Sequence, residues 1–257
     1  MEPADTHRRG LILGAQIDAL DWDATLARIT SWARARESRY VCLCNVHSVV
    51  TVSLEPEFRD VINGADLATP DGMPVAWALA RMGFARQPRI NGPDLMWRLC
   101  EASVASKTKL FFYGSSTQTL AQLERKLTTA FPSIRIAGLV SPPYRALSTQ
   151  ENSAMVEQIN SSGAELVFVG LGCPKQEIWM ANQRGKINAV MLGVGAAFDY
   201  HAGTLKRAPL WMQRTGLEWL YRFGQEPRRL WRRYLVTNLI FAVGIARQLL
   251  IRRNRPM

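Results

Sequence analysis

"AELVFVGLGCPKQEIWMANQ", residues 164–183, is the stretch whose reading decides the fold. Its apolar run, Leu166 to Val169, is unbroken, as in a strand covered on both faces. A turn with Gly170 and Gly172 follows, and then a mixed polar and apolar segment of helical character begins. Strand, glycine turn and helix in that order form half of a βαβ unit, and such units build parallel sheets.

The same grammar recurs on either side. "TKLFFYGSS" (108–116) enters a Gly-Ser turn, and "TQTLAQLERKLTTAFP" (117–132) is a helix stopped by Pro132. "IRIAGLVSPPY" (134–144) reads as strand then loop, 149–162 as helix, and "INAVMLGVGAAFDYHAG" (187–203) as strand then glycine turn. Upstream, "LILGAQID" (11–18) is a short strand or hairpin arm. "DWDATLARITSWARA" (21–35) is an amphipathic helix with Asp21 or Asp23 as N-cap. "RYVCLCNVHSVV" (39–50) holds a buried strand, and "ADLATPDGMPVAWALARMG" (65–83) a strand, a Pro-Asp-Gly turn and a helix. The pattern predicts an α/β, Rossmann-like fold with a mostly parallel sheet flanked by helices. Its strand-end loops, gathered along one edge, would carry Asn45, Asp71, Gly114, Gly172 and Gly195.

The chain has 257 residues, 47% hydrophobic and 21% charged, a globular composition that excludes disorder. Its net charge of +11 is concentrated at one end: residues 206–257 hold 12 Lys/Arg against 2 Asp/Glu, which leaves 20 against 19 for the rest. The expected organisation is therefore an α/β catalytic domain, 1–205, and a basic, amphipathic helical appendage, 206–257. Such asymmetry points to an anionic partner. No recognisable nucleic-acid module appears, so nucleic acid is not the expected one.

The four cysteines form no C-x-x-C pair and there are three histidines. A zinc site and a disulfide framework are not expected, and reduced, buried thiols in a cytoplasmic protein are. "MEPADTHRRG" has no apolar signal-peptide core. No stretch reaches the roughly 18 uninterrupted apolar residues of a bilayer span; the best, 235–251, is broken by Asn238, Arg247 and Gln248.

Three glycine turns after strands, at Gly114, Gly172 and Gly195, could offer backbone N–H groups to a phosphate or sugar nucleotide. None is a dinucleotide fingerprint: from Gly170 the third glycine position holds Lys175, and from Gly193 it holds Phe198. Asp71 in "ATPDGMPV" (68–75) is either a general base at a strand end or an Asx-turn or helix cap. "DWD" (21–23) matches a metal-holding D-x-D pattern, but helix capping explains it and no metal is expected. His47 and His201 fall near the loop edge, where the structural role is the commoner one for a lone histidine.

"LYRFGQEPRRLWRRYL" (220–235) packs five arginines among tyrosine, tryptophan, phenylalanine and leucine. Pro227 suits the first position of a helix. Arg228 with Arg232, and Arg229 with Arg233, then share faces. Guanidinium forks at that density suit a diphosphate, and the aromatic and basic mixture suits an anionic membrane surface.

Taken in order, "NVH" (45–47), "PDGMPV" (70–75), "RINGPDL" (89–95), "FYGS" (112–115), "GLGCPKQE" (170–177), "GVGAAFDYHAG" (193–203), "KRAP" (206–209) and "GLEWLYR…QEPRR" (216–229) resemble the WecG/TagA/CpsF glycosyltransferase family. The resemblance implies an inverting, metal-independent and cofactor-free transfer at the cytoplasmic face of the plasma membrane. A sugar (N-acetylmannosamine, N-acetylmannosaminuronic acid or glucose) passes from a UDP-sugar to a sugar on undecaprenyl diphosphate. It implies that Asp71 is catalytic, that Asn45, Arg89 and Gln176 contact substrate, and that Arg222, Arg229 and Arg233 close over the diphosphate. Leu43, where many members have threonine, and Cys173, where a smaller residue is common, depart from the pattern. The rival readings are a nucleotide-dependent oxidoreductase, weakened by the missing third glycine, a nucleic-acid binder, and a non-catalytic membrane scaffold for polysaccharide assembly.

Overall fold

A computed structural model describes residues 8–85 and 87–253, with the side chains of 233, 252 and 253 outside the description. In chain order the elements begin with β1 (Arg9–Ile12), β2 (Ala15–Asp18), α1 (Trp22–Arg34), β3 (Arg39–Cys44), α2 (Val46–Leu54) and α3 (Pro56–Asn63). Then come β4 (Leu67–Pro70), α4 (Met73–Arg81), α5 (Gly92–Ser106), β5 (Lys109–Gly114), α6 (Thr117–Ala130), β6 (Arg135–Val140) and α7 (Thr149–Ser162). The last are β7 (Leu166–Gly170), α8 (Lys175–Gln183), β8 (Val190–Gly193), α9 (Ala197–Ala202), α10 (Leu210–Arg214), α11 (Glu218–Gln225) and α12 (Pro227–Arg253).

The main sheet has six strands in the order β4-β3-β8-β7-β5-β6, and the fold is the expected Rossmann-like α/β arrangement. The pairs β3–β8, β8–β7, β7–β5 and β5–β6 are all parallel. The apolar run of residues 166–169 sits in the sheet interior, buried at every position. Phe112 stacks on Phe168 at 5.3 Å and meets the edge of Phe198 at 5.7 Å, which ties β5, β7 and α9 into one aromatic cluster. Gly114 faces Gly170 in register. A Cβ on Gly114 would lie 2.5 Å from the Gly170 carbonyl oxygen, and φ there is +129°. Glycine at that strand end is a packing requirement as well as a turn signal.

The chain divides into two units, each drawn from separated stretches. One holds residues 23–43 and 91–206: α1, β3 and everything from α5 to α9. Sequence pattern alone leaves 92–106 unassigned. There α5 starts at an Asn91 cap, whose Oδ1 accepts from the Asp94 N–H while its Nδ2 donates to the Asp94 carboxylate at 2.7 Å. The D-x-D pair is placed as capping requires, with Asp21 immediately before α1 and Asp23 in its first turn. His201 Nε2 donates to the Pro93 carbonyl at 2.8 Å and the ring stacks on Trp97, a structural role.

The other unit holds residues 1–22, 44–90 and 207–257. The "LILGAQID" segment is an antiparallel hairpin, β1–β2, turning at Leu13 and Gly14, both at positive φ as a two-residue hairpin turn demands. Asp18, fully buried, accepts from Arg9 Nε at 2.7 Å and from the Ala68 N–H at 2.6 Å, pinning the hairpin to β4. Helix α12 begins at Pro227, packs on α2, and its Gln248 accepts from the Leu13 N–H and donates to the Leu11 carbonyl. By length and composition α12 suffices to cross a bilayer. This amends the expectation that its polar interruptions rule that out: across 235–251, Asn238, Arg247 and Gln248 leave the average character apolar.

Candidate functional site

The site is built on the turn that follows β4. Asp71 donates its N–H to the Cys44 carbonyl at 3.0 Å, and Ile90 donates to the Pro70 carbonyl at 2.9 Å. The chain at 70–71 is therefore held from both sides by backbone. Helix α4 takes Gly72, not Asp71, as its N-cap, with Pro74 in its first turn and no side-chain cap bond. Asp71 therefore stands one residue before the α4 N-cap.

Asn45 lies beside this turn. Its Oδ1 caps α2, accepting from the N–H groups of His47 at 3.0 Å and Ser48 at 3.2 Å. A Cβ on Gly72 would come within 3.8 Å of the Asn45 Cβ. Asn45 thus has its amide oxygen committed to the helix.

Arg89 completes the group. Its Nε donates to the Asp71 carbonyl at 2.6 Å, Nη1 reaches the Gln213 carbonyl at 3.5 Å, and Nη2 meets the Glu218 carboxylate at 2.5 Å. The pair is largely shielded, with side chains 13% and 20% exposed. One planar guanidinium therefore links the turn to the start of the basic appendage. Reading the sequence for positive charge passes over Glu218, although "GLEW" displays it.

At the corner of α11 and α12, Arg222 Nε lies 3.8 Å from Glu226, and Arg229 Nη1 bonds the same carboxylate at 2.7 Å. The structure thus brings Arg222 and Arg229 together. The side chain of Arg233 lies outside the described residues. Both acidic residues of the appendage face arginines: Glu218 faces Arg89, and Glu226 faces the other two. On α12, Arg228, Arg229 and Arg232 are exposed. Leu230, Thr237 and Phe241 are buried, while Leu235, Val236, Leu239, Val243 and Leu250 are exposed.

The remaining candidates belong to the other unit. Gln176, 4% exposed, accepts at Oε1 from the Gly172 N–H at 3.2 Å and the Gly195 N–H at 3.1 Å. Its Nε2 donates to buried Glu177 at 2.8 Å. The loops after β7 and β8 are thereby stapled by one amide. The N–H groups that glycine turns would offer to a phosphate are taken up inside the protein. Gly114 leads into Ser115, whose N–H donates to the Gly170 carbonyl at 3.2 Å and whose hydroxyl reaches Asp199 at 3.4 Å.

Burial pushes the Tyr113 hydroxyl up to about 12 and the Cys100 thiol upward as well. Both are therefore neutral core groups. Among the described residues no three His, Cys, Asp or Glu side chains gather in one place.

Comparison with known proteins bears on this arrangement. The model of the family described as "Glycosyl transferase WecG/TagA/CpsF family" matches residues 11–255. The chain is 32% identical over 229 residues to the N-acetylglucosaminyldiphosphoundecaprenol N-acetyl-beta-D-mannosaminyltransferase of Bacillus spizizenii, covering 86% of this chain and 85% of that protein. It is 33% identical over 180 residues to the protein of the same name from Bacillus subtilis, covering 70% of this chain and 68% of that one.

Proposed function

The chain belongs to the WecG/TagA/CpsF glycosyltransferase family, and from that premise we propose that it transfers N-acetylmannosamine, or a closely related hexose, from its UDP-sugar to N-acetylglucosamine carried on undecaprenyl diphosphate. The donor and acceptor follow the names of its Bacillus relatives. Asp71 takes the proton from an acceptor hydroxyl as that oxygen attacks the anomeric carbon. UDP departs from the opposite face with the bonding electron pair, and the configuration inverts. Arg222, Arg229 and Arg233 neutralise the charge that gathers on the leaving diphosphate, without a divalent ion. Asn45 and Arg89 shape the donor end of the site, and Gln176 holds the loops of Gly172 and Gly195 in place, with Gly114 beside them.

The observation that carries this reading is the setting of Asp71: a carboxylate outside any helix cap, on a turn locked by the Cys44 carbonyl and Arg89. A general base needs a fixed position more than it needs a strong neighbour.

The enzyme would work as a peripheral protein on the cytoplasmic face of the plasma membrane. One side of α12 is committed to α2 and the hairpin, which supports an interfacial helix over a spanning one. Its other side presents leucine and valine between arginines, and suits an anionic lipid surface.

A panel of UDP-sugars with a short-chain polyprenyl-diphosphate N-acetylglucosamine acceptor, run with and without EDTA, tests the whole proposal. Acceptor-dependent release of UDP that survives EDTA is expected. Absence of turnover with every donor, or loss of it on chelation, removes the corresponding part.

A further inference from the structure

We infer that Glu218 is a positioning residue: it sets the Asp71 turn through Arg89 and so makes the seat of the appendage part of the catalytic geometry. The inference rests on the proposed role of Asp71. Its physical basis is the shape of the Arg89 contacts. The guanidinium is rigid and planar, and its edges are spoken for on two sides, by the Asp71 carbonyl at Nε and by Gln213 and Glu218 at Nη1 and Nη2. Moving one edge moves the other. Glu218 supplies the compensating charge that keeps a largely shielded cation in this pose. Without it the group would swing toward water or toward any arriving phosphate, and the Asp71 carbonyl would lose its donor.

A second contact seats the same segment next to the same turn. Gly216, between α10 and α11, has φ +73°, and a Cβ there would lie 3.0 Å from Trp77 Cη2 and 3.4 Å from Met73 Cβ. Trp77 and Met73 belong to α4, the helix that starts directly after Asp71 and Gly72. The backbone at Gly216 therefore lies flat on the helix that continues from the catalytic turn. Two independent contacts, one ionic and one steric, place the start of the appendage around Asp71.

The test compares Glu218→Ala with Glu218→Gln in the full chain. Glu218→Ala should lower kcat by about 10²-fold, the scale of a small displacement of a reacting group. The stoichiometry of UDP binding, one per chain, should not change. Glu218→Gln, whose Oε1 still accepts from Nη2, should recover most of the rate. Amide hydrogen exchange over 207–226 should quicken in Glu218→Ala and return toward wild type in Glu218→Gln. Wild-type kcat in Glu218→Ala overturns the inference. So does a loss of rate matched by the fraction of molecules no longer binding UDP, since that is a folding defect. If the wild-type chain turns over no UDP-sugar, the proposed function fails instead, and the exchange comparison still decides whether Glu218 holds the segment in place.

Discussion

The Nε–H of Arg89 donates to the backbone carbonyl of Asp71 at 2.6 Å, while the other end of the same guanidinium meets Glu218 at 2.5 Å. A residue placed in the substrate site by resemblance is thus also the bridge between a strand-end turn and the charged appendage.

If Asp71 is the general base, Asp71→Asn should reduce kcat by about 10²–10⁴-fold, the usual contribution of a positioned base. UDP affinity should stay near wild type, because the substitution keeps the shape of the turn. Steady-state kinetics and calorimetric titration with UDP check the two halves separately.

Glu226 competes with any diphosphate for Arg222 and Arg229. Ion pairs of this exposed kind are weak, about 0.2–1 kcal/mol, so a ligand can displace them. Glu226→Gln should tighten UDP binding by roughly two- to fivefold at low salt, and the gain should shrink as salt is added. Unchanged affinity at low salt would remove these arginines from the diphosphate.

Gln176→Leu would strip the Gly172 and Gly195 N–H groups of their shared acceptor. It would also take a donor from buried Glu177; an unsatisfied buried group costs about 1–3 kcal/mol, so Tm should fall by roughly 4 °C or more. Differential scanning calorimetry measures it. An unchanged Tm would mean that the two loops do not depend on the staple.

Leu239 and Val243 are 64% and 61% exposed on the face of α12 turned away from α2. Changing both to Asp should leave the melting temperature intact and cut binding to anionic vesicles by more than tenfold, since burying each such side chain contributes about 1.5–3 kcal/mol. Co-sedimentation with anionic and zwitterionic vesicles reads this out, and equal binding to both would dismiss the arginines as lipid contacts.

Tyr113 offers a check on the core. Its folded value is raised by burial to about 12 from 10, so the unfolded chain ionises first. The stability this group contributes is complete below pH 10 and is lost as pH rises toward about 12. Unfolding followed across that window should show a slope that Tyr113→Phe diminishes, and absorbance near the tyrosinate band should register one late-titrating tyrosine.

Local pattern was enough for most of the architecture. The runs LVFV (166–169) and LFFY (110–113) are unbroken and buried, as suits a strand covered on both faces, and each is followed by glycine and a helical pattern. Segment 92–106 goes unassigned although the sequence carries both helix signals, an Asn91–Asp94 cap and an apolar face of Leu95, Met96, Leu99 and Cys100 at helical spacing. Asp71, too, was visible on its Pro-Asp-Gly turn, and the structure adds that Gly72 and not Asp71 is the N-cap residue of α4.

The chain alone therefore determined the α/β class, the strand-end loops and the concentration of positive charge beyond residue 205, because these depend on residues close together in sequence. Only the tertiary structure decided that Arg89 faces Glu218, that Glu226 gathers Arg222 and Arg229, and that Gln176 consumes the amides of Gly172 and Gly195. The reason is geometric. A guanidinium or an amide has several partners in fixed directions, and which groups lie in those directions depends on how distant segments pack, as 89 with 218 and 172 with 195.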